Sequence, residues 1–151
     1  MLAETLRILF NRDLKRLISE LELYKSEANI WKIKGEIRNS AGHLCLHLVG
    51  NLNTYIGKEL AGTGYIRNRE LEFCSQPIPR QELINKIGDT TNIIDLTFKD
   101  FNERLMQAEY PVVVFDHATS TEYFLVHLAT HLNYHLGQIN YHRRLIEGDE
   151  R

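Results

Sequence analysis

The sequence predicts an all-α fold, a four-helix bundle with two long connections. Two observations carry this. Four long stretches place apolar residues at spacings of three and four, the period of a helix buried along one side. Runs of β-branched residues, which would signal strands, are rare.

The first helix is predicted from Leu2 to Tyr24. Leu2, Leu6, Phe10, Leu14, Leu17, Leu21 and Tyr24 form its stripe, with Lys15 and Glu22 outside. From Lys25 to Arg38 the pattern breaks around Asn29, Trp31 and Gly35. The second helix starts at Asn39 or Ser40, either of which can cap it, and runs to about Leu60. Leucines on several of its sides imply burial within a bundle. Gly62 and Gly64 mark its exit, and the polar stretch up to Pro79 reads as a long connection. The third helix is placed over Arg80–Gln107, with Leu83, Ile84, Ile87, Ile94, Phe98, Phe101 and Leu105 inward and Gly88 a candidate kink. Tyr110-Pro111 ends it. The segment PVVVF is a single apolar run with no strand to pair with, so it reads as an extended tether. Thr119 and Glu122, three apart before an apolar run, make a capping box for a fourth helix that ends near Glu147.

At 151 residues and 17.6 kDa, the chain fits one domain over residues 1–151 and is long enough to bury a core without staples. Lys and Arg number 18 against 20 acidic residues. That balance argues against a nucleic-acid partner. No stretch is long and apolar enough to span a bilayer, and the N-terminus lacks the pattern of a signal peptide. Cys45 and Cys74 form neither a Cys-x-x-Cys pair nor a disulfide framework, which fits the cytoplasm.

Chemistry concentrates in the histidines. Four of the seven, His127, His131, His135 and His142, lie on the fourth helix. A helical wheel sets His131 and His135 within the apolar arc of Phe124, Leu128, Leu132, Ile139 and Ile146. His127 falls at its edge, and Glu122, Asn133, Asn140 and Arg144 fall on the far side. Buried imidazoles one turn apart need hydrogen-bond partners or a metal. Two ligands do not make a tight site. The second helix offers a third on its stripe of His43, His47, Asn51, Thr54 and Lys58, and His47 sits mid-helix among leucines. Three histidines with an open position describe a catalytic metal site. The competing reading makes this stripe a solvated face and the histidines ordinary filler. His43, His117, His127 and His142 are assigned to supporting hydrogen bonds or to no role at the site.

The segment HLATHLNYHLGQINYHRRL resembles the last helix of the DinB-like superfamily, with a pattern HxxxHxxxHxGQI. NSAGHLCLHLVGNLNTYIG is similar to that family's second helix, and GTGYIRNRELEF to the following segment of one subgroup. The resemblance covers nearly the whole chain in order. It implies a four-helix bundle in which His47, His131 and His135 hold one divalent metal, zinc or nickel. It also implies a homodimer and a transferase that joins a low-molecular-weight thiol, such as bacillithiol or mycothiol, to an electrophile. Asn51 and Gln138 would then bond the substrate or a ligand's second nitrogen; Arg67 and Arg69 are candidates for carboxylates of an anionic thiol, with plain surface solvation an equal reading that keeps them out of the catalytic set. Three alternatives stay open: hydrolysis by metal-bound water, a metal-binding bundle with a regulatory or interaction role, and a ferritin-like di-iron bundle. The last needs Glu-x-x-His pairs, and the chain has none.

Overall fold

The computed structural model describes residues 1–148. Its elements in chain order are α1 (Leu2–Leu23), a 3-10 turn (Glu27–Trp31), α2 (Ala41–Leu52), a π-helical stretch (Asn53–Lys58), α3 (Glu59–Ala61), α4 (Arg69–Cys74), α5 (Arg80–Lys99), a second 3-10 turn (Glu103–Gln107) and α6 (Thr121–Gly148). From Ala41 to Ala61 the backbone is one continuous helical rod, so four long helices make the bundle. Among the described residues β-pairing is limited to one antiparallel bridge, Glu109 with Ser120. The PVVVF run stays outside any strand, as a tether should.

α1 packs on α5 and α6, and α2 packs on the same two helices. α1 and α2 therefore stand on opposite corners. The side-chain pairs set the directions. Asp13 meets Asn133 and Glu20 meets Asn140, so α1 and α6 run parallel. His47 meets His131 and Tyr55 meets Phe124, so α2 and α6 run antiparallel. Arg7 meets Asp95 near the start of α1, and Arg80 reaches Tyr24 O at its end, so α1 and α5 are antiparallel. It follows that α2 and α5 point the same way, and the chain between them must travel back along the bundle. This return run carries α4, which lies against α2.

The predicted stripes fill the core. Leu6, Phe10, Leu14, Leu17 and Leu21 of α1 interlock with Leu44, Leu48 and Leu52, with Leu83, Ile87, Ile94 and Phe98, and with Phe124, Leu128, Leu132 and Ile139. Each such side chain contributes about 1.5–3 kcal/mol when fully buried. Ser40 caps α2, its hydroxyl accepting from His43 N. Gly62 closes the rod at φ +68°, a conformation that costs glycine little.

Two boundaries and some side-chain placements differ from the sequence reading. The third helix ends at Lys99, because Asp100 leaves helical geometry and the chain resumes only as the 3-10 turn at Glu103–Gln107. Leu105, expected inside, is exposed. The cap of α6 is Ser120 rather than Thr119: Ser120 Oγ accepts from Tyr123 N, while Thr119 O accepts from Tyr110 N and Glu122 pairs with Gln107. Asn133, exposed as expected, and half-buried Asn140 lie along the rim of the α1 seam, where acidic residues receive their amides.

Candidate metal centre

His47 lies mid-way along α2 and is 7% exposed. Its neighbour across the antiparallel seam is the His131–His135 pair, one turn apart on α6. His47 Nε2 is 3.3 Å from His131 Nε2, and His135 Nε2 is 3.1 Å from the same atom. One ring nitrogen from each of the three histidines falls within 4.8 Å of the others. The structure thus brings together the three residues that the sequence reading paired across two helices.

Protein partners account for the outer nitrogens of two rings. His47 Nδ1 faces Glu72 Oε1 at 3.1 Å, and His135 Nδ1 faces Gln138 Oε1 at 2.6 Å. A neutral imidazole has one N–H. With the protons of His47 and His135 turned outward to these oxygens, both inner nitrogens present lone pairs, and His131 cannot donate to both. His131 Nδ1 is itself buried without a partner. Ligand nitrogens of a tetrahedral zinc at about 2.0–2.1 Å stand about 3.3–3.4 Å apart. The two short separations here are of that size, so the donor set fits a divalent ion in both chemistry and spacing.

The electrostatics favour the neutral form of the two α6 rings. Burial, reinforced by the facing imidazoles, pushes His131 down to about 4. Burial also lowers His135, partly offset by its bond to Gln138. A neutral ring is the form that ligates.

Glu72 and Arg67 were assigned no such place by the sequence. Arg67, expected to receive a substrate's carboxylate, instead grips Glu72: its Nε donates to Oε2 at 2.7 Å and its Nη2 to Oε1 at 2.8 Å. Burial works to raise the Glu72 carboxyl, but the bonds from Arg67 and His47 outweigh it and hold the group below its usual range. The Arg67 guanidinium also lies 5.8 Å from the centre of the Tyr55 ring. Phe73 covers His47 with ring centroids 5.0 Å apart. The one sequence signal for this arrangement was an acid and a base five residues apart in an otherwise polar connection. Nothing local said that the connection would fold back on α2.

The remaining residues divide clearly. Gln138 bonds the outer nitrogen of His135, in the place expected for one of its two candidate roles. Asn51, one turn along from His47, is buried with Oδ1 unpaired. His43 bonds Ser40 Oγ and Ser75 O, which ties the return run to α2. His127 is half-buried beneath Phe115, outside the cluster, and burial lowers its pKa. His117 is exposed beside Asp116. His142 is buried in a separate network. Arg69 is exposed. No helix of the described residues is long and apolar enough to cross a membrane.

Compared with known families, the chain matches over residues 5–151 the one described as Protein of unknown function (DUF1572), and it belongs to that family. The assignment is consistent with the DinB-like superfamily. No curated protein matches the chain.

Proposed function

With membership of this family as the premise, we propose that His47, His131 and His135 hold one divalent ion per chain, zinc or nickel, and that the chain transfers a low-molecular-weight thiol to a small electrophile. The convergence of three imidazole nitrogens, 3.1 and 3.3 Å apart with at most one ring proton to share among them, carries the metal reading. The resemblance to the thiol transferases carries the chemistry. When bound, such an ion supplies positive charge that favours the deprotonated form of a thiol or of water.

The chain's own residues set the surroundings. Glu72 and Gln138 orient two of the rings from behind. Asn51 offers its unpaired carbonyl oxygen to a donor group of the substrate. Phe73 and Tyr134, packed on His47 and His135, give apolar faces beside the cluster. We read the chain as one domain over residues 1–151 that works in the cytoplasm as a homodimer, and sedimentation at several concentrations tests the dimer.

Hydrolysis by an activated water is the second reading. One observation favours it: Arg67 is committed to Glu72, which takes from the thiol reading the cation expected to meet a thiol's carboxylate. A single experiment separates the readings. Metal-loaded protein is incubated with a thiol panel and a chromogenic electrophile, beside metal-free protein and His47→Ala. Saturable turnover that needs the thiol and is lost in both controls supports transfer. Turnover without thiol supports hydrolysis. Rates no higher than the metal-free control leave a metal-binding bundle without catalysis.

A further inference from the structure

A histidine offers a metal one nitrogen, and the position of its proton decides which. For His47 the structure contains a group able to decide it. Glu72 is 6% exposed, although it lies in the connection between two bundle helices. The return run brings it there: α4 docks on α2, Phe73 packs on the His47 ring, and the neighbouring Glu72 side chain reaches behind that ring. Space for it exists because position 50, on the facing turn of α2, is glycine. A Cβ at Gly50 would collide with the Glu72 carboxylate.

The carboxylate is held at both oxygens by Arg67, in a bidentate pair whose geometry is rigid. Its Oε1 then sits 3.1 Å from His47 Nδ1. A lone pair on Nδ1 would face the carboxylate's own lone pairs at that distance, which is repulsive. A proton on Nδ1 makes a charge-assisted hydrogen bond instead. Arg67 Nη2 also approaches Nδ1, at 3.4 Å, but its shorter bond goes to Glu72.

We propose that Glu72, fixed by Arg67, is the positioning residue of the site: it keeps the proton of His47 on Nδ1 and so aims the Nε2 lone pair at the centre of the cluster. This inference rests on reading the three histidines as metal ligands. Carboxylates behind ligating imidazoles change metal affinity by about 10–100-fold when removed.

The experiment has two arms. In the first, two-bond proton–nitrogen spectra of the metal-free, nitrogen-15-labelled wild-type protein read the His47 tautomer. The proton is expected on Nδ1; a proton on Nε2 overturns the proposal with no variant involved. In the second, zinc affinity is measured by competition with a chromophoric chelator for wild type, Glu72→Ala, Glu72→Gln and Gly50→Ala. Gly50→Ala displaces the carboxylate while leaving Glu72 and every ligand in the sequence. Glu72→Ala and Gly50→Ala are expected to bind zinc about 10–100-fold more weakly, with Glu72→Gln, which keeps an acceptor, in between. Variants that fold as wild type and bind zinc equally tightly overturn the role of Glu72 alone. Wild-type protein that takes up no zinc overturns the reading of the site itself.

Discussion

α6 carries two buried histidine environments on one helix, and they differ in whether the protein supplies partners for both ring nitrogens. At His142, 3% exposed, both nitrogens have protein partners: Nδ1 meets the Tyr24 hydroxyl at 2.6 Å and Nε2 donates to Lys32 O at 2.8 Å. Nearby, Glu147 receives Lys25 N and the Asn29 amide. This network ties the chain after α1 onto the end of α6, and it is complete. Two to three turns earlier, His131 and His135 point nitrogens at each other, and His131 at His47. There the inner nitrogens face one another with at most one ring proton among them, and His131 Nδ1 has no partner. Burial lowers the pKa at both places, so lowered basicity alone does not distinguish them. What distinguishes them is whether the protein itself supplies the missing partners.

The largest test of this contrast is metal content. His131→Ala or His135→Ala should fall from about one ion per chain to less than about a tenth of that, because two imidazoles do not hold a site tightly. His142→Ala should keep its metal. Elemental analysis after gel filtration reads both, and full retention in the two cluster variants would end the assignment.

Stability should respond in the opposite order. In metal-free protein, His142→Ala removes the partner of the Lys32 carbonyl, leaves the Tyr24 hydroxyl only its long 3.5 Å contact with Ile139 O and opens a cavity, at a cost of about 2–4 kcal/mol. His131→Ala should cost less, since it relieves facing lone pairs. Urea denaturation compares them, and a costlier His131→Ala would reverse the contrast.

Acid sharpens it further. Both rings have folded-state pKa values below the unfolded value of about 6.5. The unfolded chain therefore takes up protons that the folded one refuses. Their contribution is complete above about pH 6.5 and is lost as pH falls toward about 4, the value at His131. Metal-free protein should lose about 1–2 kcal/mol by pH 4.5 through His131, after allowance for solvent screening, with a further loss in the same direction through His142. Saturating zinc should move this loss to lower pH in wild type and not in His131→Ala. Denaturation curves at stepped pH measure it.

The smallest effect belongs to Tyr24→Phe. It removes one hydrogen bond from His142 and should cost about 1 kcal/mol, with metal affinity unchanged. A change in affinity would mean that the two networks are coupled along α6.

Much of this molecule was legible in the order of its residues. Spacings of three and four located all four long helices, since burial along one side imposes that period on any sequence. The same reasoning put His131 and His135 on the inner arc and picked out His47 from a stripe among leucines. It failed at ends and at partners. The third helix stops at Lys99 although Phe101 and Leu105 continue its stripe, because periodicity records which side is apolar and not where the backbone turns. Ser120 and not Thr119 caps α6, a choice between neighbours that local pattern does not make.

Tertiary structure alone decided which imidazole nitrogens meet one another and what stands behind them. On the helical wheel His142 lies in the same arc as His131 and His135, so pattern could not separate them. The parallel packing of α1 supplies Tyr24 at one level of α6, and the antiparallel packing of α2 supplies His47 at the other. Glu72 was out of reach of sequence reasoning for a similar reason. Its role depends on a return run that two parallel helices force, and on the space left by Gly50. Local period reports one helix at a time. The chemistry of an imidazole depends on what its two nitrogens meet, and those groups come from elements far away in the chain.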